Sequence, residues 1–258
     1  MSKKGILVVS FGTSYEETRR KTIGAIEQSI QKAFPDYKVY RAFTSKIIKR
    51  KLKREGVMVF GVKEALGQMI KDGITEELLV QPTHIINGIE YDKMHEEMEP
   101  FTDRFEKIHF GRPLLTGQED YRELATIIRE AYPVNEDEVL VLMGHGSDHH
   151  ANDAYSTFGY VLKEMEYDNI LLGTVKGYPS LNEVKRQLTK LPVKKLCLAP
   201  MMIVAGEHAN HDMIGEEDSW KCELEEAGYE VRYYLTGLGE LEGVRQMFIH
   251  HAKEMETL

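Results

Sequence analysis

The chain has 258 residues, 42% of them hydrophobic and 29% charged, and 33 Lys+Arg set against 42 Asp+Glu leave a formal net charge of −9. This is globular composition with length enough for one large domain or two smaller ones; it excludes a disordered chain, a collagen-like repeat and a small disulfide scaffold. The negative balance lacks the basic field that nucleic-acid binding exploits, and no apolar run approaches the roughly 18 residues of a membrane span, so neither partner is expected.

Lys3-Lys4 leads into only a short apolar run before Ser10, which reads as a first strand and not as a signal peptide. Cys197 and Cys222 are far apart and lack CxxC spacing. They are expected as free thiols of a cytoplasmic protein.

In chain order, a continuous apolar run at 6–9 predicts a strand buried on both faces, followed by helical spacing over 18–34. Residues 46–54 hold six cations and would form a basic helix. A helix at 62–71, a strand at 77–80 and a helix at 121–132 complete the first half. The second half reads strand 139–142, helix 154–165, helix 181–191 and strand 196–198; Ala227-Gly228 then closes a further helix, and a last one covers about 240–255. Alternating strand and helix predict an α/β fold with parallel sheets.

The chain also resembles itself. Val9-Ser10-Phe11-Gly12-Thr13 matches Met143-Gly144-His145-Gly146-Ser147, and Phe43-Thr44-Ser45 matches Tyr178-Pro179-Ser180. Residues 82–90 match 200–208, aligning Glu90 with His208, and Leu115-Thr116-Gly117 matches Leu235-Thr236-Gly237. Four matches in the same order indicate a duplication. The expectation is two similar Rossmann-like or flavodoxin-like βαβ domains, residues 1–130 and 135–258, with parallel sheets facing a central cleft. The last helix could pack on its own domain, on the N-terminal domain or at an oligomer interface. Each matched loop follows a strand, where open parallel sheets bind ligands.

His145 sits at a strand tip between glycines, and His208 occupies a comparable tip. With Glu90 they form a ligand set of two imidazoles and a carboxylate, suited to Co, Fe, Ni or Zn. His149, His150 and His211 crowd the same loops. Glu207 and Asp212 could orient an imidazole, and His84 could line the cleft. Lys46, Lys49 and Arg50 form an electropositive wall beside Ser45 that would attract a polycarboxylate, although a charge run is also the ordinary make-up of a solvated face. No GxxxxGK[ST], GxGxxG or GxSxG pattern occurs where it would be needed, so no nucleotide and no hydrolase triad is expected. Met201, Met202 and Met213 suit packing of the cleft wall better than metal ligation.

Together, Ser10-Phe11-Gly12-Thr13-Ser14, Ala42-Phe43-Thr44-Ser45, Met143-Gly144-His145-Gly146-Ser147 and the segment from Pro200 to Met213 resemble the anaerobic sirohydrochlorin cobaltochelatases, a class II chelatase family. The resemblance implies an ATP-independent lyase that inserts Co²⁺ into sirohydrochlorin in cobalamin biosynthesis. It puts the metal-site histidines at His145 and His208 and an acidic ligand at Glu90. The substrate would be received by Ser10, Phe11, Thr13 and Ser45, by the cations Lys46, Lys49 and Arg50, and by Met202. Where family members often carry Glu, this chain has Lys176. Fe²⁺ or Ni²⁺ insertion, or a non-catalytic tetrapyrrole or metal carrier, are the alternatives, and a homo-oligomer is an open expectation.

Overall fold

The computed structural model describes residues 3–256. In chain order it contains β1 (Lys4–Ser10), α1 (Glu16–Lys21), α2 (Ile23–Ala33), β2 (Lys38–Phe43), α3 (Lys46–Arg54), α4 (Val62–Lys71), β3 (Glu77–Pro82), α5 (Ile89–Met98) and β4 (Lys107–Phe110). There follow α6 (Gln118–Ala131), β5 (Glu138–Gly146), α7 (Asp153–Glu164), β6 (Ile170–Lys176), α8 (Leu181–Leu188), β7 (Lys195–Met201), α9 (Trp220–Glu226), β8 (Glu230–Tyr233) and α10 (Glu242–Glu256).

The strands form two four-stranded sheets, ordered β2-β1-β3-β4 and β6-β5-β7-β8, and every pairing is parallel. The two orders are the same, as a duplicated chain requires. The apolar runs read from the sequence are the inner strands β1, β3, β5 and β7. Two of the outer strands are less apolar, β4 being Lys-Ile-His-Phe and β8 Glu-Val-Arg-Tyr, whereas the outer strand β6 buries Ile170, Leu171 and Leu172. An edge strand needs little hydrophobic signal, because only part of it is covered.

The chain divides into two compact units, one running to Thr116 and resuming at Glu242, the other spanning Gly117–Leu241. This differs from a boundary at 130–135. α10 packs on α2, β3 and β4 of the first unit, whereas α6 packs on α7 in the second. The apolar stripes decide membership: Leu124, Ala125 and Ile128 are buried on α6, and Val244, Met247 and Phe248 on α10.

In the first unit Leu7, Val9 and Val80 meet Leu66 and Met69 of α4 in one core cluster. In the second, Val141, Met143 and Leu198 pack with Val184, Leu188 and Trp220. The helix expected over 18–34 is interrupted at Thr22, whose hydroxyl donates to the Thr18 carbonyl at 2.7 Å. That back-bond competes with the helical ladder and bends it. Cys197 and Cys222 are free thiols, as expected.

β5 is tied to edge strand β8 by a bidentate ion pair. Arg232 Nε and its terminal nitrogen donate to Glu138 at 2.7 and 2.8 Å, and the Asn135 N–H adds a bond of 2.8 Å. These donors hold the nearly buried Glu138 carboxyl down at about 2, with the Arg232 guanidinium the largest cause. A depressed carboxyl stabilises the fold above the ordinary glutamate range, and that stabilisation is lost as pH falls toward 2. Glu138→Gln is therefore expected to cost about 2 kcal/mol at pH 7. In urea titrations the gap from wild type should close between about pH 4.5 and 2.

Candidate active site

His145 is the penultimate residue of β5, the second strand in its sheet, and its neighbours have no room for side chains. Gly146 pairs with Lys176 on β6 and has φ +73°, and a Cβ there would lie 1.5 Å from the Lys176 carbonyl oxygen. A Cβ on Gly144 would stand 2.7 Å from the Tyr155 ring. Tyr155 is buried, and its hydroxyl is hydrogen-bonded to the Gly146 backbone. The imidazole is thus carried by a strand end clamped between β6 and α7.

His208 follows β7 and opens the π-helical turn Ala209–Met213. Such turns are found disproportionately at functional sites. The turn brings Asp212 beneath the ring, with His208 Nδ1 to Asp212 Oδ2 at 2.6 Å. The rings of His145 and His208 meet edge to face, centroids 4.6 Å apart and planes at 74°.

The partners decide the tautomers. His145 Nδ1 lies 2.7 Å from the Gly146 carbonyl, which can only accept, so Nδ1 carries the proton. The Asp212 carboxylate imposes the same tautomer on His208. Each neutral ring then keeps its Nε2 lone pair for a metal or a proton. Burial pushes the His145 pKa below the ordinary histidine value; the Gly146 bond opposes this, while nearby His208 and Lys176 reinforce it. Lys176 is exposed at the end of β6.

Around this pair, His149 and His150 stack at 3.9 Å and His211 pairs with Glu207 at 3.2 Å. Met202, expected to receive substrate, lies in the core cluster with Met143, Ala209 and Met213 at 9% exposure. Its thioether serves packing.

In the first unit, the residues expected to bind substrate gather at the ends of β1 and β2. Thr44 N–H donates to the Ser10 carbonyl at 2.9 Å, and Ser45 N–H to the Phe11 carbonyl at 3.2 Å. Ser10 and Thr13 are buried: the Ser10 hydroxyl accepts from Thr83 at 2.8 Å, and the Thr13 hydroxyl from the Tyr15 N–H at 3.2 Å. Phe11 projects, half exposed. Ser45 caps α3 through Ile48 N–H, Lys46 and Arg50 are exposed, and Lys49 is half-buried, 4.0 Å from Glu64. Glu90 lies in the first turn of α5 and accepts from Lys93 at 3.3 Å, whose ammonium also donates to the Thr44 carbonyl at 2.9 Å. Both ring nitrogens of His84 are sealed without a described partner, and burial pushes this imidazole down to about 4.

Three contributors carried no local signal. Arg19 donates to the Thr13 and Ser14 carbonyls at 3.1 and 3.3 Å, Lys93 joins two strand-end loops, and Tyr155 underlies Gly144. Only the topology brings them there.

Gly146→Ala should destabilise the protein by about 2 kcal/mol or more, since positive φ and a backbone clash combine. Thermal unfolding checks this.

Residues 4–257 match the family described as Cobalt chelatase (CbiK). The chain is 37% identical over 252 residues to the sirohydrochlorin cobaltochelatase of Salmonella typhimurium, covering 96% of this chain and 95% of that one. It is 32% identical over 256 residues to the sirohydrochlorin cobaltochelatase CbiKC of Nitratidesulfovibrio vulgaris, covering 97% and 90%. Among solved structures, SirB from Bacillus subtilis with Fe3+ superposes with a TM-score of 0.65 at 14% identity, over 98% of this chain and 95% of that one, a likeness of fold.

Proposed function

The chain belongs to the cobalt chelatase (CbiK) family, and on that premise we propose that it is a cytoplasmic lyase inserting Co²⁺ into sirohydrochlorin without a nucleotide. The supporting observation is the pair His145 and His208, in ring contact, each with Nδ1 committed and Nε2 without a described partner.

Insertion exchanges one divalent cation for the two protons of the macrocycle's pyrrole N–H groups. Two neutral imidazoles can do both parts of that exchange: they present the metal while their lone pairs are free, then accept protons as it leaves. Loose ligation suits a metal that is substrate, since a closed four-ligand site would retain it. Asp212 fixes the His208 tautomer. Burial and the Lys176 charge favour neutral His145. Glu90 is assigned as the acidic ligand, on its repeat equivalence with His208 and on the family resemblance. Lys46, Lys49 and Arg50 would draw in the substrate carboxylates, with Ser10, Phe11, Thr13 and Ser45 at the neighbouring strand ends.

Anaerobic multiple-turnover metallation with Co²⁺, Fe²⁺ and Ni²⁺ in parallel tests this reading, because imidazole and carboxylate donors alone do not set metal choice. His145→Ala and His208→Ala should each lower insertion at limiting Co²⁺ by about 100-fold with unfolding temperatures preserved, and Asp212→Asn by about tenfold. Wild-type rates in both histidine variants would sink the assignment; binding of metal and tetrapyrrole without turnover would make the protein a carrier. On acidification, His145 should stay competent below the ordinary imidazole midpoint, because protonation must overcome its burial.

A further inference from the structure

Between their second and third strands in chain order the two units differ in a way that their shared topology does not require. Between β6 and β7 the second unit has one helix, α8, which buries Leu181, Val184 and Leu188. Between β2 and β3 the first unit has two. Core packing there falls to α4, which buries Val62, Ala65, Leu66 and Met69. α3 follows Phe43-Thr44-Ser45, the match to the residues before α8, yet buries only Leu52. Residues 46–61 are thus an addition that the sheet does not need for its core.

This addition exposes what a solvated surface avoids. Ile47 is 70% exposed, Met58 69% and Phe60 40%, and the neighbouring Phe11 is 49% exposed. Their backbone is anchored. Val57 N–H donates to the Leu52 carbonyl at 2.9 Å and Phe43 N–H to the Phe60 carbonyl at 2.9 Å, beside the Ser45-to-Phe11 bond described above. Phe11, Ile47 and Phe60 therefore emerge within two residues of the hydrogen bonds that close the ends of β1 and β2. Around them Lys46, Arg50, Lys53 and Arg54 have no carboxylate partner among the described residues, on a chain of net charge −9. Fixed apolar side chains rimmed by unpaired cations mark a binding surface.

We propose that α3 and residues 55–61 form a ledge that takes the rim of the tetrapyrrole, with Ile47, Met58 and Phe60 against its apolar plane and Lys53 and Arg54 beside Lys46 and Arg50 on its carboxylates. The inference rests on the chelatase reading and adds the residues that select a carboxylated macrocycle. The occupant must offer a flat apolar surface and several negative charges together, which sirohydrochlorin does. A second copy docking two-fold on the same face would set cations against cations.

The test compares wild type with Ile47→Gln/Met58→Gln and with Lys53→Gln/Arg54→Gln, all of them surface changes whose folding is checked by thermal unfolding. The apolar pair should raise KM for sirohydrochlorin about tenfold with little salt dependence, leaving kcat and the KM for Co²⁺ within about twofold. The charge pair should raise the same KM by a factor that shrinks as salt is added. Absorbance titration of sirohydrochlorin into metal-free protein gives Kd without turnover. A wild type that binds but does not metallate overturns the chelatase reading and leaves the ledge standing if Kd rises in the variants. Unchanged KM and Kd in the apolar pair overturn the ledge. If its sedimentation also changes, the face is an interface between copies instead.

Discussion

The steric closure at the tip of β5 is the constraint on which the remaining chemistry depends. An inner strand of a parallel sheet is gripped from both sides, so its end is among the least movable points of the backbone. Gly144 and Gly146 let that end run against Tyr155 and the Lys176 carbonyl without a Cβ in the way. His145 alone in the triplet has a side chain, and it can leave the sheet only outward. The accuracy demanded of a ligand is thus supplied by backbone packing, while the ring itself stays partly accessible.

The second imidazole is held by a different device. His208 stands at the start of a short π-helical turn and has its orientation set by Asp212, a bond between side chains four residues apart. One ring is aimed by a backbone carbonyl and the other by a carboxylate, yet both end in the same tautomer. The asymmetry matters for proton transfer. His145 sits where burial and the Lys176 charge resist protonation. Lys176, at the position where the family resemblance implies a glutamate, therefore favours the neutral form of its neighbour.

The parts legible in the sequence were those with a local physical signature. Continuous apolar runs gave the inner strands, and glycines around a histidine gave the strand tip. The ordered repeats anticipated two sheets of identical strand order. The edge strands β4 and β8 escaped because they carry charged residues, whereas β6 escaped because its apolar run, Ile170-Leu171-Leu172, is only three residues long before Gly173. The position of α6 escaped, and that of α10 on the first unit is one of three placements that the sequence leaves open, because an amphipathic stripe says that a helix is covered without saying by which sheet. Met202 reads both as wall packing and as a substrate contact, since a methionine beside a predicted site looks the same in either place, and it lies in the core cluster. Arg19 and Lys93 secure loops through backbone carbonyls, and a carbonyl leaves no trace in the side-chain sequence.

Duplication gives two copies of one scaffold, and the residues at equivalent tips show how their duties diverged. Phe11 occupies in the first unit the place that His145 takes in the second, and α3 adds cations and exposed apolar groups where α8 is an ordinary packed helix. On the proposed reading the two imidazole donors lie on one copy, and the recognition surface lies on the other together with the assigned ligand Glu90. One strand order thus serves two duties, because the strand-end loops of each copy accept different residues without disturbing the sheet beneath them.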